Sequence, residues 1–339
     1  MHERHVPETI FFRWALKALA SVLDCSPTLE AVLAARAKTP PDALAAHLLR
    51  DANVAALLID YGYRTGEVWS HAEVATKIPC RAWSILRLET LAQDLIVRHD
   101  TLDAVVDAFV AAVEGARAAG HVGLKSVIAY RTGLAVKPAT RGEARDAFGP
   151  VKEIARRDGR VRLAAKPLND YLLLRALEIA ERQAMPVQLH TGFGDADLDL
   201  LGANPLHLRP LLESNAYRRV PFVLLHASYP YTRELGYLAA MYANVYADVG
   251  LAVPQLAADI PSVFRALLAL TPASKIVYSS DASSIPELFW LGARWGRWGL
   301  GVVLDELAAL GALRGDEALA VARAILGGNA ARVYGVPWG

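Results

Sequence analysis

Four short apolar runs each carry one side chain that can bind or serve a metal ion. They are GLKSVIAY with Lys125, VQLHTGFGD with His190, FVLLHASYPY with His226 and KIVYSSDAS with Asp281. Each run has the length of a buried strand, and in the last three the polar residue stands where the strand gives way to a loop. A closed parallel barrel projects its catalytic groups from the carboxyl ends of its strands. The pattern therefore predicts an active site in which imidazoles and a carboxylate converge on one metal ion.

The apolar periodicity predicts the elements that position these side chains. A first helix is expected over residues 7–23, opened by Pro7, and a long helical region over 141–183 breaks near Pro167. Strands are expected in VAALLIDYG, ending near Asp60, and at 82–88, 123–130, 187–191, 222–227, 245–249 and 276–280. Further helices begin near Pro205, Thr232 and Pro261. Repeated strand and helix units predict an α/β fold with a parallel sheet and right-handed crossovers, that is, a TIM-type (β/α)8 barrel.

The pattern contains seven strands, whereas a barrel of this type has eight. The missing strand should precede residue 53, but residues 1–50 show only helical patterns. We therefore expect a barrel that lacks or replaces its first strand, and we favour truncation of a longer parent. The chain is expected to form one domain over residues 1–339, with a helical segment over 1–50 and βα units and closing helices over 51–339.

The composition excludes several classes of function. Lys and Arg number 36 against 35 Asp and Glu, so no basic surface is available for nucleic acid or anionic lipid. No run of about 18 apolar residues could span a membrane, and Arg13 and Lys17 interrupt the N-terminal apolar stretch. The two cysteines form no CxxC motif, which fits a reducing, cytoplasmic compartment. We expect a small-molecule substrate and neither a nucleic-acid nor a membrane partner; homo-oligomer formation stays open.

The segments HTGFGD, NPLHLRPLL, LLHASYPYTRELGYLA, NVYADVG and YSSDAS resemble the amidohydrolase superfamily. Within it, the chain is similar to the barrel half of fungal fusion proteins whose other half resembles glutamine synthetase. This resemblance implies a metal ion held by a His-x-His pair on the first strand, by groups on the fourth and fifth strands and by an Asp on the eighth, with a His on the sixth nearby. Lys125 matches the fourth-strand position, His190 the fifth, His226 the sixth and Asp281 the eighth.

The first-strand pair has no match. His2 and His5 are separated by two residues and precede a helix, so they do not project side by side from one strand face, and neither is assigned as a ligand.

The resemblance implies a divalent metal, zinc first and manganese as an alternative, with one or two ions held by His190, Asp281, His226 and Lys125. Asp281 ends an apolar strand, where a carboxylate needs an ion, a donor or a proton, and it is our candidate general base. For His226, three interpretations stay open: a ligand of a second metal, a catalytic group that polarises the substrate carbonyl, or a core histidine. For Lys125 they are a carbamylated bridge between two metals, an ammonium that binds a substrate carboxylate, or a side chain that reaches the rim.

Three further residues are candidates for substrate binding. Arg131 follows the fourth-strand run directly and suits a planar anion such as a carboxylate, with a surface ion pair as the alternative. Asp195 can bind an amine or hydroxyl of the substrate, or cap a helix. Tyr229 lies in the loop beyond His226 and is expected to line the pocket.

Together these features predict hydrolysis of an amide or another C–N bond in a small polar molecule, by a metal-activated water with Asp281 as the base. Similarity to the fungal fusion proteins points to a γ-glutamyl-type amide. Two alternatives stay open: a metal-dependent decarboxylase on the same barrel, which would release carbon dioxide, and a catalytically inactive truncated or binding homologue, which would hold no metal.

Overall fold

The computed structural model describes residues 4–63 and 69–337 of the chain. Three helices come first: α1 (Ile10–Val22), α2 (Leu29–Ala37) and α3 (Pro41–Asp51). The hydroxyl of Thr9 accepts a hydrogen bond from the amide of Phe12 and so caps α1, while Pro7 lies in the 3-10 turn before it. The first helix is therefore confirmed, with a slightly later start than predicted.

Seven parallel strands form the sheet of the described residues, and their spatial order follows the chain. They are β1 (Ala56–Asp60), β2 (Arg81–Arg87), β3 (His121–Ser126), β4 (Val187–Leu189), β5 (Phe222–Leu224), β6 (Val245–Asp248) and β7 (Ile276–Val277). Neighbouring strands are in parallel register, so that Leu124, Val187 and Phe222 stand side by side. All the predicted strands are confirmed, although β5 and β7 end earlier than their apolar runs.

Helices separate the strands. Strand β1 is followed by α4 (His71–Lys77). Strand β2 is followed by α5 (Leu88–Arg98) and α6 (Leu102–Glu114). Strand β3 is followed by α7 (Arg141–Asp158) and α8 (Lys166–Gln183). Strand β4 is followed by α9 (Arg209–Leu212), and β5 is followed by α10 (Thr232–Met241). Strand β6 is followed by α11 (Ala252–Gln255) and α12 (Ile260–Leu268). Strand β7 is followed by α13 (Pro286–Ala309), α14 (Gly315–Arg323) and α15 (Asn329–Tyr334). Pro167 lies in the first turn of α8, which confirms the predicted break. None of the helices in the described ranges is long and apolar enough to cross a bilayer.

Apolar side chains fill both faces of the curled sheet. The larger cluster lies between strands and helices and includes Phe109, Leu124 and Phe222, all fully buried. A smaller cluster inside the curl contains Ile85, Val223, Leu225, Val277 and Tyr334. A filled interior and a shell of helices are the construction of a TIM-type barrel, so the predicted fold is confirmed.

The barrel is open between β1 and β7, the two end strands of the sheet, and residues 4–55 as described contain no strand. Side chains of α13 bridge the opening to α3. The indole of Trp290 donates a hydrogen bond of 2.6 Å to Asp51, and Arg297 donates to the carbonyl of Ala52. On the same side, Trp14 of α1 stacks on Trp295 with ring centroids 4.4 Å apart. The N-terminal helices thus support α13 where a first strand would otherwise lie.

Candidate active site

A cavity of about 1490 Å³ lies at the carboxyl end of the strands and continues along the opening between β1 and β7. Its walls include six of the seven predicted site residues: Lys125, Arg131, His190, Asp195, His226 and Asp281. The seventh, Tyr229, packs edge-on against Phe193 with ring centroids 5.4 Å apart, and it is outside the cavity wall as formed by the described residues. The sheet therefore gathers side chains that are far apart in the sequence, as the placement at strand ends predicted.

The two predicted imidazoles are directly hydrogen-bonded to each other. His226 Nε2 lies 2.9 Å from His190 Nδ1, and His226 Nδ1 lies 3.2 Å from the carbonyl oxygen of Gly250. Burial lowers the pKa of His226 to about 3 and lowers that of His190 well below its usual value, so both rings are neutral at pH 7.

These partners fix which nitrogen carries each proton. The Gly250 carbonyl can only accept, so His226 Nδ1 donates to it, and the neutral ring then has an acceptor at Nε2. His190 Nδ1 must donate to that acceptor, which leaves a lone pair on His190 Nε2. This atom is buried and has no hydrogen-bond partner in the described part of the chain. A neutral imidazole whose other nitrogen donates a hydrogen bond is the form in which histidine binds metals.

A left-handed turn places His226 beneath His190. His226, Ala227 and Ser228 have φ values of 68°, 51° and 47°, a conformation that is unfavourable for residues with a side chain. The buried carboxylate of Asp248, at the end of β6, accepts hydrogen bonds from the amides of His226 at 3.3 Å and Gly250 at 2.9 Å. One carboxylate thus connects the loops after β5 and β6, the two loops that supply His226 and its acceptor.

A second set of contacts fixes the loop after β4. The hydroxyl of Thr191 donates to the carbonyl of Leu225 at 2.7 Å, so the hydroxyl of Ser228, also 2.7 Å away, donates to Thr191. Gly192 has a φ of 70°, and a Cβ there would lie 2.3 Å from the carbonyl carbon of Ser228. Only glycine fits, because the two loops touch through their backbones.

Lys125 and Asp281 form a second group at the cavity wall. Lys125 Nζ lies 3.9 Å from Asp281 Oδ1 and 3.6 Å from Asp60 Oδ2, and its side chain is buried. Asp60 also accepts a 2.8 Å hydrogen bond from Arg87 Nε. Lys125 therefore lies between two carboxylates and points into the cavity rather than to the rim.

Three acidic residues of this region were not predicted as site residues: Asp60, Asp248 and Glu89. Asp60 and Asp248 end the predicted strands VAALLIDYG and NVYADVG, so the rule that selected His190 and Asp281 could also have found them. Glu89, at the start of α5, accepts a 2.6 Å hydrogen bond from Ser126, and burial raises the pKa of its carboxyl. It directly follows the predicted strand at 82–88, so the same rule could have found it as well.

Tyr130 connects His190 to the loop that carries Asp195. The ring of Tyr130 packs on the imidazole with centroids 4.5 Å apart, and its hydroxyl accepts a 2.9 Å hydrogen bond from the amide of Asp195. Arg131 follows Tyr130 and lines the same wall. The substrate-binding roles of Arg131, Asp195 and Tyr229 stay predictions.

The side chains at this end of the cavity could supply part of the coordination shell of a metal ion. His190 offers a buried lone pair and Asp281 a carboxylate, while Lys125, ion-paired with Asp60 and Asp281, lines the same cavity wall. Within residues 4–63 and 69–337, however, no three His, Cys, Asp or Glu side chains stand close enough together to hold an ion. Both nitrogens of His226 have protein partners, which leaves neither for a second metal or a substrate carbonyl. His5 is not among the residues that line the cavity, and His2 lies outside the described residues.

Comparison with known proteins assigns this chain to a family. The family model described as amidohydrolase matches residues 101–336, which contain the predicted metal-binding and substrate-binding residues. The chain belongs to the amidohydrolase family. Its fold is that of the metal-dependent hydrolases of this family, and the resemblance inferred from the sequence motifs is confirmed.

One relative and two solved structures are similar to this chain. Protein fluG of Emericella nidulans is 40% identical over 224 residues, which cover 63% of this chain and 25% of fluG. The chain therefore spans about a quarter of the length of that relative. A proposed metal-dependent hydrolase from Lactobacillus casei has a TM-score of 0.86 and 32% identity, over 97% of this chain and 85% of that one. A uronate isomerase from Thermotoga maritima shares the fold alone, with a TM-score of 0.69 and 14% identity over 98% of this chain and 80% of its own.

Proposed function

We propose that this amidohydrolase is a metal-dependent enzyme that hydrolyses an amide, or another C–N bond, in a small polar molecule bound in the cavity. The observation that carries the proposal is the unpartnered lone pair of His190 Nε2, buried at the carboxyl end of the strands. An unsatisfied buried polar atom is costly unless a ligand meets it. The name of the Lactobacillus casei relative supports the same class of reaction.

The metal would be held by His190 Nε2 and Asp281, with Lys125 beside them. Zinc is our first choice and manganese the second, because imidazole nitrogen and carboxylate oxygen are common zinc ligands. When bound, a divalent ion supplies a Lewis acid for the substrate carbonyl and lowers the pKa of water.

The protein's own side chains carry the proton transfers. The oxygen of a water molecule bonds to the carbonyl carbon, and Asp281 accepts the proton that this water loses. The C–N bond then breaks, and Asp281 returns the proton to the leaving amine. Lys125 Nζ, 3.9 Å from Asp281 Oδ1, places a positive charge beside that carboxylate. His226 is a positioning residue in this scheme, since it orients His190 and has no nitrogen free to touch the substrate.

The test measures metal content and turnover together. The full chain is loaded with zinc or manganese, the bound metal is counted by mass spectrometry, and a panel of small amides is assayed for released amine and for carbon dioxide. We expect bound metal and amine release, and we expect His190→Ala to lose both. His207→Ala is the matched control, because His207 is exposed and bonds only to the carbonyl of Leu201.

Three results would overturn the proposal. The first is absence of both metal and turnover after loading, which would favour a noncatalytic protein. The second is metal content unchanged by His190→Ala. The third is carbon dioxide as the product, which would make the enzyme a decarboxylase.

A further inference from the structure

Arg131 is a cavity residue whose guanidinium has no ion-pair partner among the residues that the structure describes. It follows the turn Ile128–Tyr130 after β3 and lines the cavity. Its Nε atom is buried without a hydrogen bond, and its guanidinium forms no ion pair with any residue in the described ranges. A guanidinium carries five N–H donors in a planar fork and stays protonated in proteins, so it needs an acceptor when water is excluded.

The neighbouring arginines differ from Arg131 in this respect. Arg87 is paired with Asp60, and Arg162 lies 2.7 Å from Asp197 and donates to the carbonyl of Tyr130 at 3.0 Å. All three arginines line the same cavity. Asp60 and Asp197 form ion pairs with two of these arginines, whereas Arg131 has no such partner within residues 4–63 and 69–337.

The surroundings disfavour the charge of Arg131. Burial lowers the pKa of its guanidinium, and the positive charges of Arg162 and Arg87 lower it further, whereas the charges of Glu89 and Asp197 act in the opposite direction. An anion at this position would meet the orphaned donor and also offset the repulsion among the arginines.

We propose that Arg131 binds a carboxylate of the substrate through its planar fork. This inference rests on the proposed function and narrows it: the substrate is an amide that carries a free carboxylate in the same small molecule. Tyr130 connects the two parts of the site, because its ring packs on His190 while Arg131 is the next residue. Arg131, His190 and Asp281 line one cavity, so a carboxylate on Arg131 keeps the amide of a small substrate in the cavity that contains His190 and Asp281. Monoamides of dicarboxylic acids and N-acyl amino acids have this chemistry.

The test is a binding measurement that needs neither turnover nor metal. Calorimetry compares glutarate with its neutral diamide, glutaramide, on the full chain in the presence of a chelator. We expect glutarate to bind at least tenfold more tightly, as charge-assisted bidentate contacts are worth that much. Arg131→Met should abolish the preference, and Arg131→Lys should retain part of it because it keeps the charge without the fork. Arg157→Met is the matched control, since Arg157 is exposed on α7 and pairs with Asp158.

Equal binding of the two probes to the wild-type protein would overturn the inference, and this comparison holds even where a variant fails to fold. A preference that survives in Arg131→Met would overturn it too, because another group would then be binding the carboxylate. Failure of the hydrolase proposal gives a different result: the preference for glutarate would persist while no amide is cleaved.

Discussion

Asp248 connects the stability of the site to pH. Burial raises the pKa of this carboxyl from 3.8 to about 6, because hydrogen bonds from Ser279 and from the amides of Gly250 and His226 only partly offset desolvation. The folded protein therefore binds a proton more tightly than the unfolded chain does. Protonated Asp248 therefore contributes to the free energy of unfolding in full below about pH 4, and this contribution is lost as the pH rises through about 6. A difference of about two pKa units corresponds to roughly 3 kcal/mol between these limits.

We therefore expect the stability of Asp248→Asn, relative to that of the wild type, to increase as the pH rises. An asparagine oxygen can still accept from both amides but does not titrate, so the difference in unfolding free energy between the two proteins should change by roughly 3 kcal/mol between pH 4 and pH 7.5. Asp248→Ala removes the acceptor and leaves two buried amides unsatisfied, which should cost about 2–5 kcal/mol at either pH.

The assay is urea unfolding of the three proteins at both pH values with a chelator present. Asp316→Asn serves as a control for removing one exposed carboxylate, since Asp316 lies on the surface of α14. If the difference between wild type and Asp248→Asn were the same at both pH values, the account of Asp248 as a buried, proton-binding acceptor would be refuted.

Two other substitutions test how the site and the opening are built. Gly192→Ala should lower the melting temperature strongly and weaken metal binding, because the new Cβ would lie 2.3 Å from the Ser228 backbone. Gly159→Ala is the control: its φ of 66° is similar but no atom lies within 4 Å, so it should cost only about 1 kcal/mol of unfolding free energy. Equal losses of stability in the two variants would show that the close approach of Gly192 to Ser228 does not matter. Trp290→Phe removes the indole N–H that donates to Asp51, and it should cost about 1–2 kcal/mol of unfolding free energy. The metal content should not change. Loss of metal in this variant would show that the contact between α3 and α13 supports the site itself.

The fold was predictable because its signals are local and repeated. The apolar runs FVLL and KIV contain the strands β5 and β7, and the predicted break near Pro167 lies between the end of α7 at Asp158 and the first turn of α8. Strand ends were less predictable: the strand expected at 276–280 stops pairing after Val277, although Tyr278 still continues the run of residues typical of strands. The absence of a strand before β1 in residues 4–55 also follows from their helical pattern. How α13 and the N-terminal helices bridge that opening depends on contacts between residues more than 200 positions apart, such as Trp290 with Asp51, which no periodicity encodes.

For the site, the sequence indicated which residues meet but not how they meet. Polar residues at strand ends predicted that His190, His226 and Asp281 would share one rim, and all three line the cavity. The order of the hydrogen bonds was not predictable, since the proton positions depend on the carbonyl of Gly250, a backbone atom in another loop. Asp248 ends the predicted strand NVYADVG, so its position was predictable, but its role was not, because it accepts from the amides of His226 and Gly250 in two different loops.

The central claim is that His190 presents a lone pair at Nε2 to a divalent ion. Crystals of the full chain soaked in zinc test this directly through anomalous scattering at the zinc edge. We expect an anomalous peak at about 2.1 Å from His190 Nε2, with Asp281 as a second ligand and His190 Nδ1 still bonded to His226. A peak located away from His190, or no peak in the cavity at all, would contradict the claim.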